Sequence, residues 1–405
     1  MTEYIGGMTT KRIYYDDVFA REFEARVVSC ESDRDRLAGA WRVVLERTAF
    51  YPTSGGQPYD VGLLGESRVI EVLDEDDEVV HVVDRPVAAG TVTGKIDWER
   101  RFDHMQQHTG QHLLSAVLQE RFGLPTVSFH IGAEVCTIDL RGREPATAML
   151  VEAERSANGI IFEDRPVNVR YGSLEELRAL GVRKEVEREG ILRAIEIEGV
   201  ELQPCGGTHV ARTGQIGMIL LRRCTKIRND WRLEFLCGDR AAGAAREDYE
   251  ARKSVAEQLK CSSGEVVGAV EKALAEREAS FKSARERAER VAEVEAELIV
   301  RDSPIDANGV RLITRVFEGT EALHVQLLAT ALAKHENIVV LFVRRECGHV
   351  FLGQHPGVGR DMNAILKEVF EQVGGKGGGT KDFVRGALKD PASAQTAIVV
   401  AKSLI

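Results

Sequence analysis

The chain has 405 residues, 43% hydrophobic and 29% charged, the balance of a soluble globular protein with room for roughly two to four cored domains. A formal net charge of −10 argues against a protein that coats nucleic acid indiscriminately, though not against a local basic surface. The opening MTEYIGGMTTKRIYYDD offers no apolar core for a signal peptide, the longest apolar runs are too short for a bilayer, and seven cysteines are scattered rather than framed. A cytoplasmic protein with reduced thiols and no membrane segment is expected.

In chain order, residues 1–95 read as an N-terminal β domain, a barrel or compact sheet. Short β-forming runs such as 68–73 and 79–83 are punctuated by Gly, Asp and Pro. Residues 96–240 read as an α+β domain. Its first helix is expected over 103–122, with apolar and histidine positions recurring at three and four and Gly123 and Pro125 as the stop. Strands are expected at 135–140, 216–221 and 233–236, and a helix over 146–158 ended by Gly159. Residues 241–300 are rich in Ala, Glu, Arg and Lys, with Val267, Val270, Leu274, Phe281, Ala284, Ala288 and Val291 near heptad spacing. They read as a helical arm or short coiled coil, with a break at Cys261 and a restart at a Ser262/Glu265 capping box. Such an arm serves as a dimerisation element or as a spacer packed on its own domain. Residues 301–405 read as a C-terminal α/β unit with strands at 311–317, 338–343 and 350–352 and a closing helix begun by Asp390-Pro391. From Leu341 to Ile405, nine Lys or Arg stand against six Asp or Glu. The fold class is therefore α+β, in several domains.

Two residue pairs carry chemistry. His108-Thr-Gly-Gln-His112 puts two imidazoles four apart, hence on one helix face. Cys205-Gly-Gly-Thr-His209 repeats that spacing in a glycine-rich turn, where a tight backbone lets a thiolate and an imidazole converge. Three nitrogens and one sulfur suit a tetrahedral Zn2+. His104 and His108 are also four apart and form an alternative helical pair; Cys136, Cys224 and Cys237 fall on strand patterns and read as buried thiols. Four protein ligands fit a structural ion, whereas a hydrolytic one keeps a position for water. In the second case the ion would activate water, polarise an ester carbonyl or hold a free α-amino group. A zinc peptidase would need Glu where Thr109 stands.

Taken in order, Thr48-Ala-Phe-Tyr-Pro-Thr-Ser-Gly-Gly-Gln-Pro58, HTGQH and CGGTH resemble the freestanding alanyl-tRNA editing proteins of the AlaX family and the editing domain of alanyl-tRNA synthetase. The closing segment with GGKGGGT is similar to the DHHA1 domain at the end of that synthetase, so the layout matches the long form, AlaX-L. The resemblance implies hydrolysis of Ser-tRNA(Ala), and of Gly-tRNA(Ala), with Zn2+ on His108, His112, Cys205 and His209. It links Ser54, Gly55, Gly56 and Gln57 to the editing pocket, although the same four residues also read as a plain turn. Thr126 and Ser128 are candidate partners for a serine hydroxyl. Gln111 and Thr208, beside the ligands, are candidates to position water or to support the ligands. Lys376, Gly377, Gly378, Gly379, Lys381 and Arg385 form a candidate phosphate cradle for tRNA, with a solvated loop as the alternative. The DHHA1 likeness also implies dimerisation through the arm and the last domain. Against a DHH phosphoesterase, Asp103-His104-Met105 is not Asp-His-His. A tRNA-binding protein with a structural zinc is the competing, non-catalytic reading.

Overall fold

The computed structural model describes residues 10–33, 39–75, 78–182, 190–307 and 309–405. They divide into two compact units, Met1–Ser254 and Val255–Ile405.

The first unit opens with β1 (Glu22–Ser32), β2 (Trp41–Leu45), β3 (Gly62–Leu64), β4 (Ser67–Glu75), β5 (Glu78–Val83) and β6 (Thr91–Ile96). These strands close on themselves in the order β1-β2-β5-β4-β3-β6, so no edge is left to pair with another chain. The interior is filled by Val43, Phe50, Val72, Val79 and Val83, all fully buried.

Helix α1 (Trp98–Phe122) follows directly. It starts five residues before the expected Asp103, because Asp97 caps it by accepting from the Arg100 amide. Gly123, left-handed at φ 65°, ends it. Its C-terminal half packs Leu113, Leu114 and Leu118 into a core with Ile138, Leu140 and Phe235, each buried leucine contributing roughly 1.5–3 kcal/mol. Its N-terminal half buries polar side chains instead, among them Arg101, His104, Gln107, His108 and Thr109. Arg101 has no exposed side-chain surface and neither does Asp60, with which it pairs. The same guanidinium donates to the carbonyls of Val18 and Ala49, while Asp60 accepts from the Tyr51 amide. One ion pair thereby fastens the 49–60 segment to α1.

Strands β7 (Thr126–Ile131) and β8 (Cys136–Arg141), helix α2 (Thr147–Phe162), and strands β9 (Val167–Gly172), β10 (Leu192–Ile197), β11 (Glu201–Pro204), β12 (Ile219–Ile227) and β13 (Asp230–Cys237) follow in the same unit. They form a four-stranded sheet in the order β12-β13-β8-β7 and a three-stranded sheet β9-β10-β11. Gly159 does not end α2 as expected. The helix runs through it, at the usual cost of about 1 kcal/mol relative to alanine, to the left-handed Asp164.

The expected break between two helices is present: α3 (Gly238–Leu259) and α4 (Val266–Asp302) flank it. The capping box is only half formed. Glu265 accepts from the Ser262 amide, but the Ser262 hydroxyl donates to the same carboxylate rather than capping the helix. The second unit then builds β14 (Arg311–Phe317), α5 (Ala322–Leu332), β15 (Ile338–Arg344), β16 (His349–Gln354), α6 (Met362–Val373), β17 (Gly375–Gly379), β18 (Phe383–Leu388) and α7 (Ala394–Leu404). Its sheet order is β14-β15-β16-β18-β17. Along β15, Val339 and Leu341 face a core with α6 and α7, while Val340 and Phe342 face a core with α4 and α5. Burial on both faces is why that strand is a continuous apolar run. Among the described residues, no helix is long and apolar enough to cross a membrane.

Candidate metal centre and cavity

His108 and His112 lie one turn apart on α1, with ring centroids 5.3 Å apart. Cys205 follows the end of β11, and His209 closes the turn behind it, its ring 4.3 Å from that of His108 and 4.8 Å from that of His112. One ligand atom from each of the four residues falls in a group within 4.8 Å of one another. The Cys205 sulfur is 3.5 Å from His108 Nε2 and 3.3 Å from His209 Nε2. Gly207 is required here, because an added Cβ would stand 2.2 Å from the His108 ring.

The outer nitrogen of each ring is already committed. Gln57 Oε1 accepts from the Thr208 amide, so His108 Nδ1, 2.9 Å away, must donate to it. The Thr109 hydroxyl gives its one proton to the Met105 carbonyl and accepts from the Val210 amide. His209 Nδ1 at 3.2 Å is therefore a donor as well. His112 Nδ1 donates to the Glu201 carboxylate at 3.0 Å. All three rings thus carry their proton outward and turn an Nε2 lone pair inward, the arrangement that metal-bound histidines take from a supporting shell. The donor set fits a tetrahedral, borderline-soft divalent ion.

Electrostatics agree with a thiolate at the centre. Burial pushes the Cys205 thiol up, but the His108 and His209 rings outweigh it and hold it well below its ordinary value. Burial also opposes protonation of His112, yet hydrogen bonds to Cys205 and Glu201 prevail and raise it to about 10. Burial, then the nearby His108, lower His209 to about 3.

A cavity of about 910 Å³ opens beside the cluster, with His108, His112 and Cys205 on its wall. Ser54, Gly55, Gln111, Thr126 and Ser128 also line it. The Gln111 amide donates to Ser115, whose hydroxyl contacts that of Thr126 at 2.8 Å. The Ser128 proton is spent on Asp139, leaving its oxygen to accept. Among the described residues the wall carries Glu120, Glu196 and Glu201, and no Lys or Arg.

Gly56, Gln57 and Thr208 are not on that wall. Ser54–Gln57 is a tight turn with Gly55 at φ 56° and Gly56 at φ 85°. At Gly56 a Cβ would also strike the Phe129 carbonyl at 2.7 Å. Gln57 and Thr208 are fully buried, and Gln57 Nε2 donates to the Thr208 hydroxyl at 2.8 Å. Both stand behind His108, off the cavity wall, where Gln57 supports the ring and Thr208 supports Gln57, the supporting alternative for Thr208. The turn itself sits against β7, since Ile131 donates to the Gly56 carbonyl.

Three supporting residues escaped the sequence. Glu201 stands four before Cys205 on an alternating strand, a face relationship visible only once β11 is known. Thr109 drew notice only as the residue standing where a peptidase has glutamate. Arg193 donates to the carbonyls of Cys205 at 2.7 Å and Gly207 at 3.0 Å, holding the ligand turn, and nothing local marks it. His104 is buried with an unpartnered Nδ1 and is not in the cluster, nor are Cys136, Cys224 and Cys237. In the second unit, the expected phosphate cradle or loop is an edge strand. β17 pairs antiparallel with β18, with Gly378 opposite Arg385 and Lys376 opposite Ala387, so one side of its amides belongs to the ladder. Lys376, Lys381 and Arg385 are exposed.

Residues 192–231 match the family described as the threonyl and alanyl tRNA synthetase second additional domain, and residues 309–405 match the DHHA1 domain. The chain is 32% identical over 390 residues to the alanyl-tRNA editing protein AlaX-L of Pyrococcus horikoshii, covering 94% of this chain and 95% of that protein. It is 32% identical to the alanine–tRNA ligase of Pyrococcus abyssi over 96% of this chain but 43% of the ligase. An alanyl-tRNA editing protein of Bos taurus is 35% identical over 63% of this chain and 61% of its own length.

Proposed function

Because the chain belongs to the family of the alanyl-tRNA editing protein AlaX-L, we propose that it is a deacylase that removes serine, and glycine, from mischarged tRNA(Ala) in the cytoplasm. The observation that carries this reading is the convergence of three imidazoles and one thiol in a cluster, of which His108, His112 and Cys205 reach the wall of a cavity. His108, His112, Cys205 and His209 would hold Zn2+, which when bound supplies a Lewis acid beside the ester.

The chain's own residues provide the rest. Gln57, Glu201 and Thr109 fix the three rings in the tautomer that binds an ion. Gln111, on the wall, orients water, while Thr208 acts from behind through Gln57. Thr126 and Ser128, with Ser54 and Gly55 opposite them, shape the site for the amino-acid side chain, and the accepting Ser128 oxygen suits a serine hydroxyl. A synthetic site sized for alanine gains only about 1–3 kcal/mol against one small group, so a second site that rewards the hydroxyl is what fidelity needs. Lys376, Lys381 and Arg385 beside Gly377, Gly378 and Gly379 would contact tRNA from the DHHA1 unit. Val267, Leu274 and Phe281 expose an apolar stripe along α4, which supports a homodimer through the arm and the last domain.

The test measures ester loss from Ser-tRNA(Ala), Gly-tRNA(Ala) and Ala-tRNA(Ala) with the zinc-loaded protein. Faster loss of serine than of alanine is expected; no loss above buffer rejects the reading. Four converging protein ligands also favour a closed, structural ion. That second reading predicts chelation lowers the melting temperature while no ester is ever lost.

A further inference from the structure

Four cations gather at one end of the sheet that borders the cavity. Arg141 ends β8, Arg143 lies two residues on, Lys226 is near the end of β12, and Arg228 is in the turn to β13. All four are exposed. Among the described residues, none of their side chains forms an ion pair or hydrogen bond, whereas nearby Arg222 pairs with Asp248 and Arg232 with Asp139. Glu144 and Asp230 lie in the same stretches and pair with none of them, so the end of the sheet is net positive in a chain of net charge −10.

Register ties this end to the cavity. One row across the sheet runs Thr126, Leu140, Trp231, Lys226, and Thr126 is on the cavity wall. Three strand spacings of about 4.8 Å put Lys226 roughly 14 Å from Thr126. Arg228 is the first of the two residues that turn β12 into β13, and its left-handed φ of 48° is what a two-residue hairpin asks of that position. Among the described residues the cavity wall offers no Lys or Arg, so the phosphates of an RNA whose end enters would be held by charge outside it.

We propose that this end of the β12-β13-β8-β7 sheet docks an RNA sugar–phosphate backbone, holding the stem next to the 3′ end that enters the cavity. The inference rests on the deacylase reading above. The contacts position the RNA without reading its bases.

The test uses the full chain and an uncharged acceptor-stem hairpin RNA, with binding followed by fluorescence anisotropy across a KCl series. The joint substitution Arg141→Ala, Arg143→Ala, Lys226→Ala and Arg228→Ala is expected to weaken binding ~10-fold or more. It should also flatten the log–log salt slope by about three, at ~0.7–0.9 per lost phosphate contact. Removing two exposed barrel cations, Arg68→Ala with Lys95→Ala, is expected to change neither. Unchanged affinity and slope in the fourfold variant, or equal loss per charge in the control, overturns the proposal. Should the fourfold variant fail to fold, Arg228→Gly serves alone. It relieves the backbone, so its melting temperature should rise while affinity falls about threefold; unchanged affinity overturns the assignment. Because the RNA is uncharged, absence of ester hydrolysis by the unsubstituted protein strikes the deacylase reading, whereas unaltered RNA binding strikes this one.

Discussion

Gln57 Oε1 accepts a hydrogen bond from His108 Nδ1 at 2.9 Å, although the two residues come from the barrel's outlying turn and from the helix that follows the barrel. The direction of that bond is forced, because the same oxygen already accepts from the Thr208 amide. Replacing Gln57 by Leu should free the His108 ring and lower metal affinity ~10–100-fold. Competition against a chromophoric chelator reads this directly. Affinity equal to that of the unsubstituted protein would dismiss the supporting role.

Cys205→Ala should abolish both metal retention and deacylation while leaving tRNA affinity within about twofold. Metal content by mass spectrometry, paired with the deacylation assay, checks it. Retained turnover at full rate in a metal-poor variant would refute the ligand assignment.

Arg101→Met should destabilise the protein by roughly 3–5 kcal/mol, since it strands the buried Asp60 carboxylate without its partner. Chemical unfolding measures the loss. Restoring much of it with Asp60→Leu would identify the uncompensated charge as the cause; an additive further loss would point to the guanidinium's carbonyl contacts instead.

His81 is buried in the barrel, where it contacts the Thr48 hydroxyl and the Val43 carbonyl, and burial lowers it to about 4. A folded-state value below the ordinary 6.5 contributes stability above pH 6.5 that is lost as pH falls toward 4. His104 shares the sign, lowered to about 3 by burial and then by the charges of Arg100 and Arg240. The melting temperature should therefore fall between pH 6.5 and 4, less steeply in His81→Gln even though that variant starts lower. Parallel curves for the two proteins would exclude His81 as a source.

The element plan was largely legible. Period-two and heptad patterns are local, and they located the β-rich start, the long helix pair and the last unit's strands. The misses were tertiary. Gly159 ends a helix by propensity, but the packing of Ala153, Ala157 and Ile161 carries α2 past it. The Gly375–Gly379 strand lacks every β-forming residue and exists because β18 pairs with it. At the site, His108, His112, Cys205 and His209 were readable because spacing is a one-dimensional signal. The bond from His108 to Gln57 and the roles of Glu201 and Arg193 leave no such signal, since their partners are far along the chain or are backbone atoms.

The three outward ring protons end on a barrel-side turn, a strand and a helix, each acceptor 51 to 100 positions along the chain from the ring that donates to it. No partly folded form of the first unit can offer the full coordination set. Metal uptake should accordingly follow assembly of that unit, so a copy in which it is incomplete stays inert instead of cleaving esters at random. Occupancy of the ion thus becomes a readout of completed tertiary assembly.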